Sequence, residues 1–210
     1  MPDEHDARDA HDARDAHEHY GVCVPTMSPH DAHVVAALCA HFRAATPVDE
    51  RERESIDEFL SVVPGLEAPF SEQADIRHVT ASALVVGRRG VVLHLHKRLG
   101  LWLQPGGHID DGEHPADAAV RESREELGMS VTHPPDGPLL IHVDVHPGPR
   151  GHRHFDVRYV LFAGDEDPRP GEGESPYARW FTPEEAYDVA DAGVRGGLTV
   201  ALRTYVRYRE

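Results

Sequence analysis

The chain has 210 residues, with 21 lysines and arginines against 37 aspartates and glutamates, and a formal net charge of −16. That surplus argues against a broad basic face for duplex nucleic acid, because phosphates would be repelled; it suits a protein that meets anions through a divalent cation. No apolar run approaches the ~18 residues of a membrane span, the acidic N-terminus lacks a signal-type apolar segment, and two cysteines make no disulfide framework. A cytoplasmic protein without a membrane partner is expected.

Residues 1–19 carry HDARDA twice, at His5–Ala10 and His11–Ala16, followed by His17-Glu18-His19. With alanine almost the only apolar residue, this segment reads as a disordered His/Asp-rich tail rather than a metal-collecting arm. Residues 20–75 read as a helical appendage. Ser28 and Pro29 start a helix with the apolar stripe Val34, Val35, Leu38, Cys39 and Phe42. A second begins at Thr46-Pro47-Val48-Asp49, buries Ile56, Phe59, Leu60 and Val63, and stops at Pro64-Gly65. Cys39 lies in the stripe, so a buried thiol is expected there rather than a nucleophile. The appendage packs on the main domain or on a second copy, which leaves a homodimer open.

Residues 76–210 form the main domain in this reading. Val79–Val86 and Val91–Lys97 flank the hairpin signal Gly87-Arg88-Arg89-Gly90, and Leu101-Trp102-Leu103 is a third strand. A helix over Pro115–Leu127 stops at Gly128. Leu139–His146 and His154–Phe162 are strands, Arg179–Phe181 another, and Thr182-Pro183-Glu184-Glu185 caps a helix to Asp191. Leu198–Tyr208 closes the domain as a helix. This order points to an α/β sandwich with a mixed sheet.

On the helix over 115–127, at about 100° per residue, Ala116, Ala119, Val120, Ser123 and Leu127 share the inner arc. Glu122 and Glu126 lie about 40° apart on another side, with Glu125 beside Glu122. Like charges at this spacing destabilise a helix unless a cation sits between them. Clustered carboxylates specify a hard ion such as Mg²⁺ or Mn²⁺, and the glycine-rich stretch before the helix lets backbone approach metal and phosphate closely.

Gly107, five residues, Glu113, seven residues, Arg121-Glu122, then Glu125-Glu126-Leu127-Gly128-Met129 together resemble the Nudix box. Ser123 stands where an aliphatic residue is usual; its hydroxyl can return to a carbonyl one turn back. The resemblance covers about residues 76–190 and includes the lead-in Leu101–His108. It implies a Nudix α/β/α sandwich and hydrolysis of a diphosphate linkage in a nucleoside diphosphate derivative or similar small molecule. It also implies Glu122, Glu125, Glu126 and the carbonyl of Gly107 as metal ligands, with Arg121 paired to Glu113 to orient the acids. The general base would be Glu122, or a distal acid such as Glu172 or Glu174. The alternative is a Nudix-like nucleotide-binding or regulatory module without turnover; such modules usually lose box carboxylates, and none is lost here.

Histidines and charges alternate with apolar residues elsewhere. His142, Asp144 and His146 share one strand face, as do His152, His154, Asp156 and Arg158 on the next, and His94, His96 and Arg98 earlier. A turn centred near Pro149 would pair His142 with Asp156, Asp144 with His154 and His146 with His152. These faces suit a phosphate-lined pocket, an orienter for the base, a second softer metal (Zn²⁺ the last choice of these), or a solvated sheet face. His108, Arg98, His154 and Arg158 are the expected substrate contacts. Trp102, Tyr159 and Trp180 are expected in the core.

Overall fold

The structure, a computed structural model, describes residues 27–209; the His/Asp-rich tail and Cys23 lie outside them. Two helices come first, α1 (Pro29–Ala44) and α2 (Glu50–Val62). Ser28 accepts the N–H of Asp31 at 3.0 Å and Asp49 that of Glu52 at 2.8 Å, which satisfies first-turn amides that have no partner inside the helix. The α1 stripe is buried as its spacing predicts, Cys39 included, and burial pushes that thiol up. The second helix starts after Asp49 rather than at Thr46, and Leu60 is only partly buried.

The remaining elements are β1 (Arg77–Gly87), β2 (Gly90–Leu95), β3 (Trp102–Leu103), β4 (Gly106–His108), α3 (Pro115–Leu127), β5 (Val131–Thr132), β6 (Leu140–Pro147), β7 (Arg153–Ala163), β8 (Ala178–Phe181), α4 (Pro183–Val189) and α5 (Ala192–Arg207). Strands β1 and β7 run parallel from Arg77↔Arg153 to Val86↔Phe162, and every other pairing is antiparallel. Each of these long strands serves two neighbours. The first half of β1 pairs β4 and its end pairs β2; the first half of β7 pairs β6 and its end pairs β5. Apolar side chains of α1, α2 and α3 cover one face around Phe155 and Val157, and α4 and α5 cover the other around Leu84, Val160 and Phe181. This is the mixed α/β sandwich, with α1 and α2 preceding the core. Among the described residues no helix is long and apolar enough to cross a membrane.

Helix α2 lies along β6. Ser55 Oγ accepts the N–H of Val145 at 3.0 Å, and the Glu52 carboxylate accepts from the backbone of Val143 and of Val48. Two α2 side chains thus take the amides that β6 would otherwise leave unpaired at the rim of the sheet.

Several expectations need correction. Strand β4 occupies Gly106–His108, where glycines hide strand propensity; a Cβ on Gly106 would meet Ser82 Cα at 2.6 Å, so only glycine fits against β1. Lys97 lies beyond β2, α4 ends at Val189, and α5 begins at Ala192, because Asp191 caps it by accepting the Val194 N–H at 3.0 Å. The β6–β7 register also differs from the expected one: Asp144 opposes Asp156, His146 opposes His154 and His142 opposes Arg158. The turn centres on Arg150, which adopts φ 57°, one residue later than Pro149. Moving the centre by one residue moves each pair by two, so the same faces align with different partners.

Candidate active site

Helix α3 carries the acids. Pro115 opens it, His114 Nδ1 accepts the Ala116 N–H at 3.1 Å, and Gly128 ends it at φ 59°. Its inner face buries Ala116, Ala119, Ser123 and Leu127 against the sheet. Ser123 Oγ donates to the carbonyl of Ala119 at 2.7 Å, which lets a hydroxyl stand in an apolar position. Strand β4 brings Gly107 against the helix so closely that a Cβ there would lie 2.6 Å from Glu122 Oε1.

Arg121 organises the acids. It donates twice to Glu113 (Nε–Oε1 3.0 Å, Nη2–Oε2 2.8 Å), once to Glu122 at 2.8 Å and once to the carbonyl of His108 at 2.9 Å, with Glu125 at 3.4 Å. These acids drive the guanidinium pKa further up. Glu113 is held below the usual carboxylate range: burial opposes this, and Arg121 and the Asp110 backbone outweigh it.

Glu126 is treated differently. Its Oε2 accepts the N–H of Gly106 at 2.9 Å, and among the described residues no lysine or arginine pairs with it. Burial pushes its pKa up to about 8; the Gly106 amide opposes this, and the charges of Glu122, Glu174 and Glu125 add to it. Burial also raises Glu122, against the pull of Arg121. His94 Nε2 stands 3.7 Å from Glu126, but burial and then His96 hold that imidazole down to about 4, so it is no charge partner near neutrality. A buried carboxylate without a counter-charge is unfavourable, and an added cation removes the penalty.

Glu126, Gly106 and Gly107 form part of the wall of a cavity of about 670 Å³. The sheet behind it presents polar rungs that follow from strand register. His146, His154 and His78 are aligned across β6, β7 and β1; Asp144, Asp156, Thr80 and His108 across β6, β7, β1 and β4; His142, Arg158 and Ser82 form the third. The solvated-face reading is overturned, because His78, Thr80, Ser82, His142, Asp144, Asp156 and Arg158 are all buried. Of the expected substrate contacts, His108, Arg98 and His154 line the cavity. Arg158 does not. It lies under α5, donating to Asp156 at 2.8 Å, to Asp144 at 3.3 Å and to the carbonyl of Gly193, and Arg51 closes on Asp144 at 2.5 Å. Tyr159 and Trp180 are core residues, while Trp102 is only partly buried, edge-on to Phe181. In the loop 164–176, Glu174 acts electrostatically on Glu126.

Sequence reasoning set Asp156 on a polar strand face without giving it a role of its own, and it missed Gln104 in the wall and His78 beside it. Asp156 is fixed by Ser82 Oγ at 2.8 Å, Thr80 Oγ1 at 3.3 Å and Gln104 Nε2 at 3.3 Å. Gln104 leaves its Oε1 buried and without a partner, and His78 stands at the end of the first rung. The signal was present: His78, Thr80 and Ser82 alternate with Val79, Ala81 and Ala83 in β1, a polar face on a strand otherwise too apolar to meet solvent.

The NUDIX domain model matches residues 76–199. The chain belongs to the Nudix family. Its box, from Gly107 to Met129, falls inside that match. An RNA pyrophosphohydrolase of Agrobacterium fabrum is 39% identical over 94 residues, covering 38% of this chain and 55% of that protein. The human m7GpppN-mRNA hydrolase NUDT17 is 30% identical over 152 residues, covering 62% and 44%. The matches thus span about half the length of these relatives. Among solved structures, a NUDIX-family hydrolase from Clostridium perfringens aligns with TM-score 0.50 at 30% identity over 60% of this chain and 95% of its own. A C. elegans Ap4A hydrolase, at 20% identity and TM-score 0.52 over 61% and 97%, shares the Nudix fold.

Proposed function

We propose that this chain is a Mg²⁺- or Mn²⁺-dependent hydrolase of a phosphoanhydride bond in a nucleoside diphosphate derivative or related small diphosphate. Glu126 carries the reading: a largely buried carboxylate, 17% exposed, with a backbone donor and, among the described residues, no lysine or arginine partner, in a cavity wall, with Glu122 and Glu125 on the same helix. Glu122, Glu125, Glu126 and the carbonyl of Gly107 would hold the ion, an all-oxygen set that suits a hard cation. Such an ion, when bound, supplies neutralisation of diphosphate charge and a lowered pKa for a coordinated water.

The protein's own groups do the rest. Arg121 holds Glu113, Glu122 and the His108 carbonyl in one frame, so the acids are positioned before substrate arrives. A carboxylate accepts the proton of the attacking water; Glu122 is in place on the helix, and Glu174 is favoured over Glu172 by its influence on Glu126. Arg98 and Arg150 bring positive charge to the cavity lining for the outer phosphates, while His108 and His154 contribute to its wall. A small substrate, rather than duplex nucleic acid, fits a chain of net charge −16. The two relatives described above are named as an RNA pyrophosphohydrolase and an m7GpppN-mRNA hydrolase.

The test is a panel of nucleoside diphosphate derivatives with Mg²⁺ or Mn²⁺, products identified by mass. Metal-dependent cleavage between two phosphorus atoms supports the reading; binding without turnover across the panel points to the regulatory module instead.

A further inference from the structure

Phosphoanhydride hydrolysis leaves His78 and His154 of the first rung, and His108 of the second, without a chemical role. One ring nitrogen from each of His78, His108 and His154 lies within 4.8 Å of one from each of the others. The ring centroids are 4.9 Å apart for His78–His154, 5.2 Å for His78–His108 and 5.6 Å for His108–His154. His78 is fully buried, and the Nε2 atoms of all three rings are buried without a hydrogen-bond partner among the described residues. One unpaired buried nitrogen is already unfavourable; three in one place call for a common partner.

We propose that His78, His108 and His154 form a second cation site that takes an imidazole-preferring transition dication, Zn²⁺ being the probe, separate from the carboxylate site on α3. Imidazole nitrogens favour such ions over Mg²⁺, and three protein ligands with one open position is the pattern of zinc sites that exchange a ligand. The support around the rings matches that role. His78 Nδ1 lies 3.2 Å from the carbonyl of Asp75, so it is the N–H donor and Nε2 keeps its lone pair, the usual arrangement behind a metal-bound imidazole. Glu72 Oε2 stands 3.3 Å from His108 Nε2 without hydrogen-bond geometry and supplies negative charge beside the cluster. Arg150 Nη2 reaches the same Glu72 oxygen at 3.2 Å, so the carboxylate is shared between the cluster and that guanidinium. Tetrahedral coordination at Zn–N ~2.0–2.1 Å places nitrogens ~3.3 Å apart, so the rings must draw together on binding, with the His108 side chain 42% exposed. Because His108 and His154 line the cavity while His78 is fully buried, the open position would face the cavity.

The experiment uses the untagged full chain in which His5, His11, His17 and His19 are replaced by asparagine, so that the tail contributes no imidazole. Zn²⁺ affinity is measured by chelator competition without Mg²⁺, and the ion is located by anomalous scattering at the zinc edge. One tight equivalent is expected, seated among the three rings. His108→Ala and His154→Ala, checked for folding by circular dichroism, should each weaken it ~100-fold or more, at or beyond the loss seen for second-layer changes. Glu122→Gln/Glu126→Gln should leave it unchanged. The proposal fails if zinc does not bind, if the histidine variants bind it equally well, or if the glutamate variant abolishes binding. None of these outcomes depends on hydrolysis, so failure here leaves the assignment of the carboxylate site standing.

Discussion

Arg121 and Glu113, eight residues apart, face each other through two parallel N–H···O bonds of 3.0 and 2.8 Å. The pair ties the loop before α3 to the helix itself, and the remaining donors of the same guanidinium reach Glu122 and the carbonyl of His108. Arg121→Lys keeps the charge and loses the fork. It should cost ~1–3 kcal/mol in denaturant unfolding and weaken Mg²⁺ binding in calorimetry, because Glu122 is no longer held.

Glu126→Gln should act with opposite signs on stability and turnover. Without metal it removes a carboxyl group that is costly to ionise in place, so Tm in EDTA at pH 8 should stay level or rise. With Mg²⁺ it should lower kcat by ~10²-fold or more, the scale for losing one group that stabilises developing charge. Thermal melts in EDTA and in Mg²⁺, beside single-turnover rates, check both; a retained rate would remove Glu126 from the metal site.

Metal stabilisation should grow with pH. Glu126, raised to about 8 in the metal-free fold, binds more protons there than in the unfolded chain, so the contribution of this one group to metal-free stability falls as pH climbs from ~4.3 toward 8. Mg²⁺ must displace that proton, and the Tm increment it gives should be larger at pH 8 than at pH 6. An increment flat with pH would contradict this.

Acid should unfold the protein earlier than its carboxylates require. Burial holds His142 and His154 down to about 3, with Arg158 assisting for the first and His146 for the second, and His94 is held at about 4. In the unfolded chain each titrates near ~6.5. Between those values the unfolded state binds more protons, so their contribution is complete above ~6.5 and is lost as pH falls toward the folded values. Metal-free denaturant curves from pH 7 to 4.5 should show stability dropping with a net uptake of about two protons, up to three at these imidazoles less the one that Glu126 releases on unfolding.

Asp144→Ala should be the most damaging single change away from the cavity. It removes one of the two carboxylates that hold the buried Arg158 and releases Arg51 from its partner; breaking one side of a buried pair costs ~3–5 kcal/mol. Chemical denaturation measures it, and a loss under ~1 kcal/mol would mean that Asp156 compensates.

The sequence shows some parts of this molecule directly. Helix α3 was legible because the 3.6-residue period, Pro115 and Gly128 agree, and the acids stand in one register. Strand β4 was not, since its glycines reflect the close approach of β1, a demand set by a distant part of the chain. The histidine triad was hidden for a related reason. His78, His108 and His154 come from three strands, and what unites them is the parallel β1–β7 pairing and the β1–β4 contact, neither visible from local spacing. Arg158 misled because a charged residue alternating with apolar ones looks the same whether it meets ligand or a buried aspartate.

The contacts from Ser55 and Glu52 to β6 carry a practical consequence. With the Val145 and Val143 amides engaged by α2, that strand offers a second copy little edge for lengthening the sheet, which disfavours self-association through β6. A fragment cut at residue 76, where the family match begins, would uncover both the amides and the apolar patch beneath α1 and α2. Such a truncation should yield a sticky, strand-exchanging product rather than a minimal enzyme.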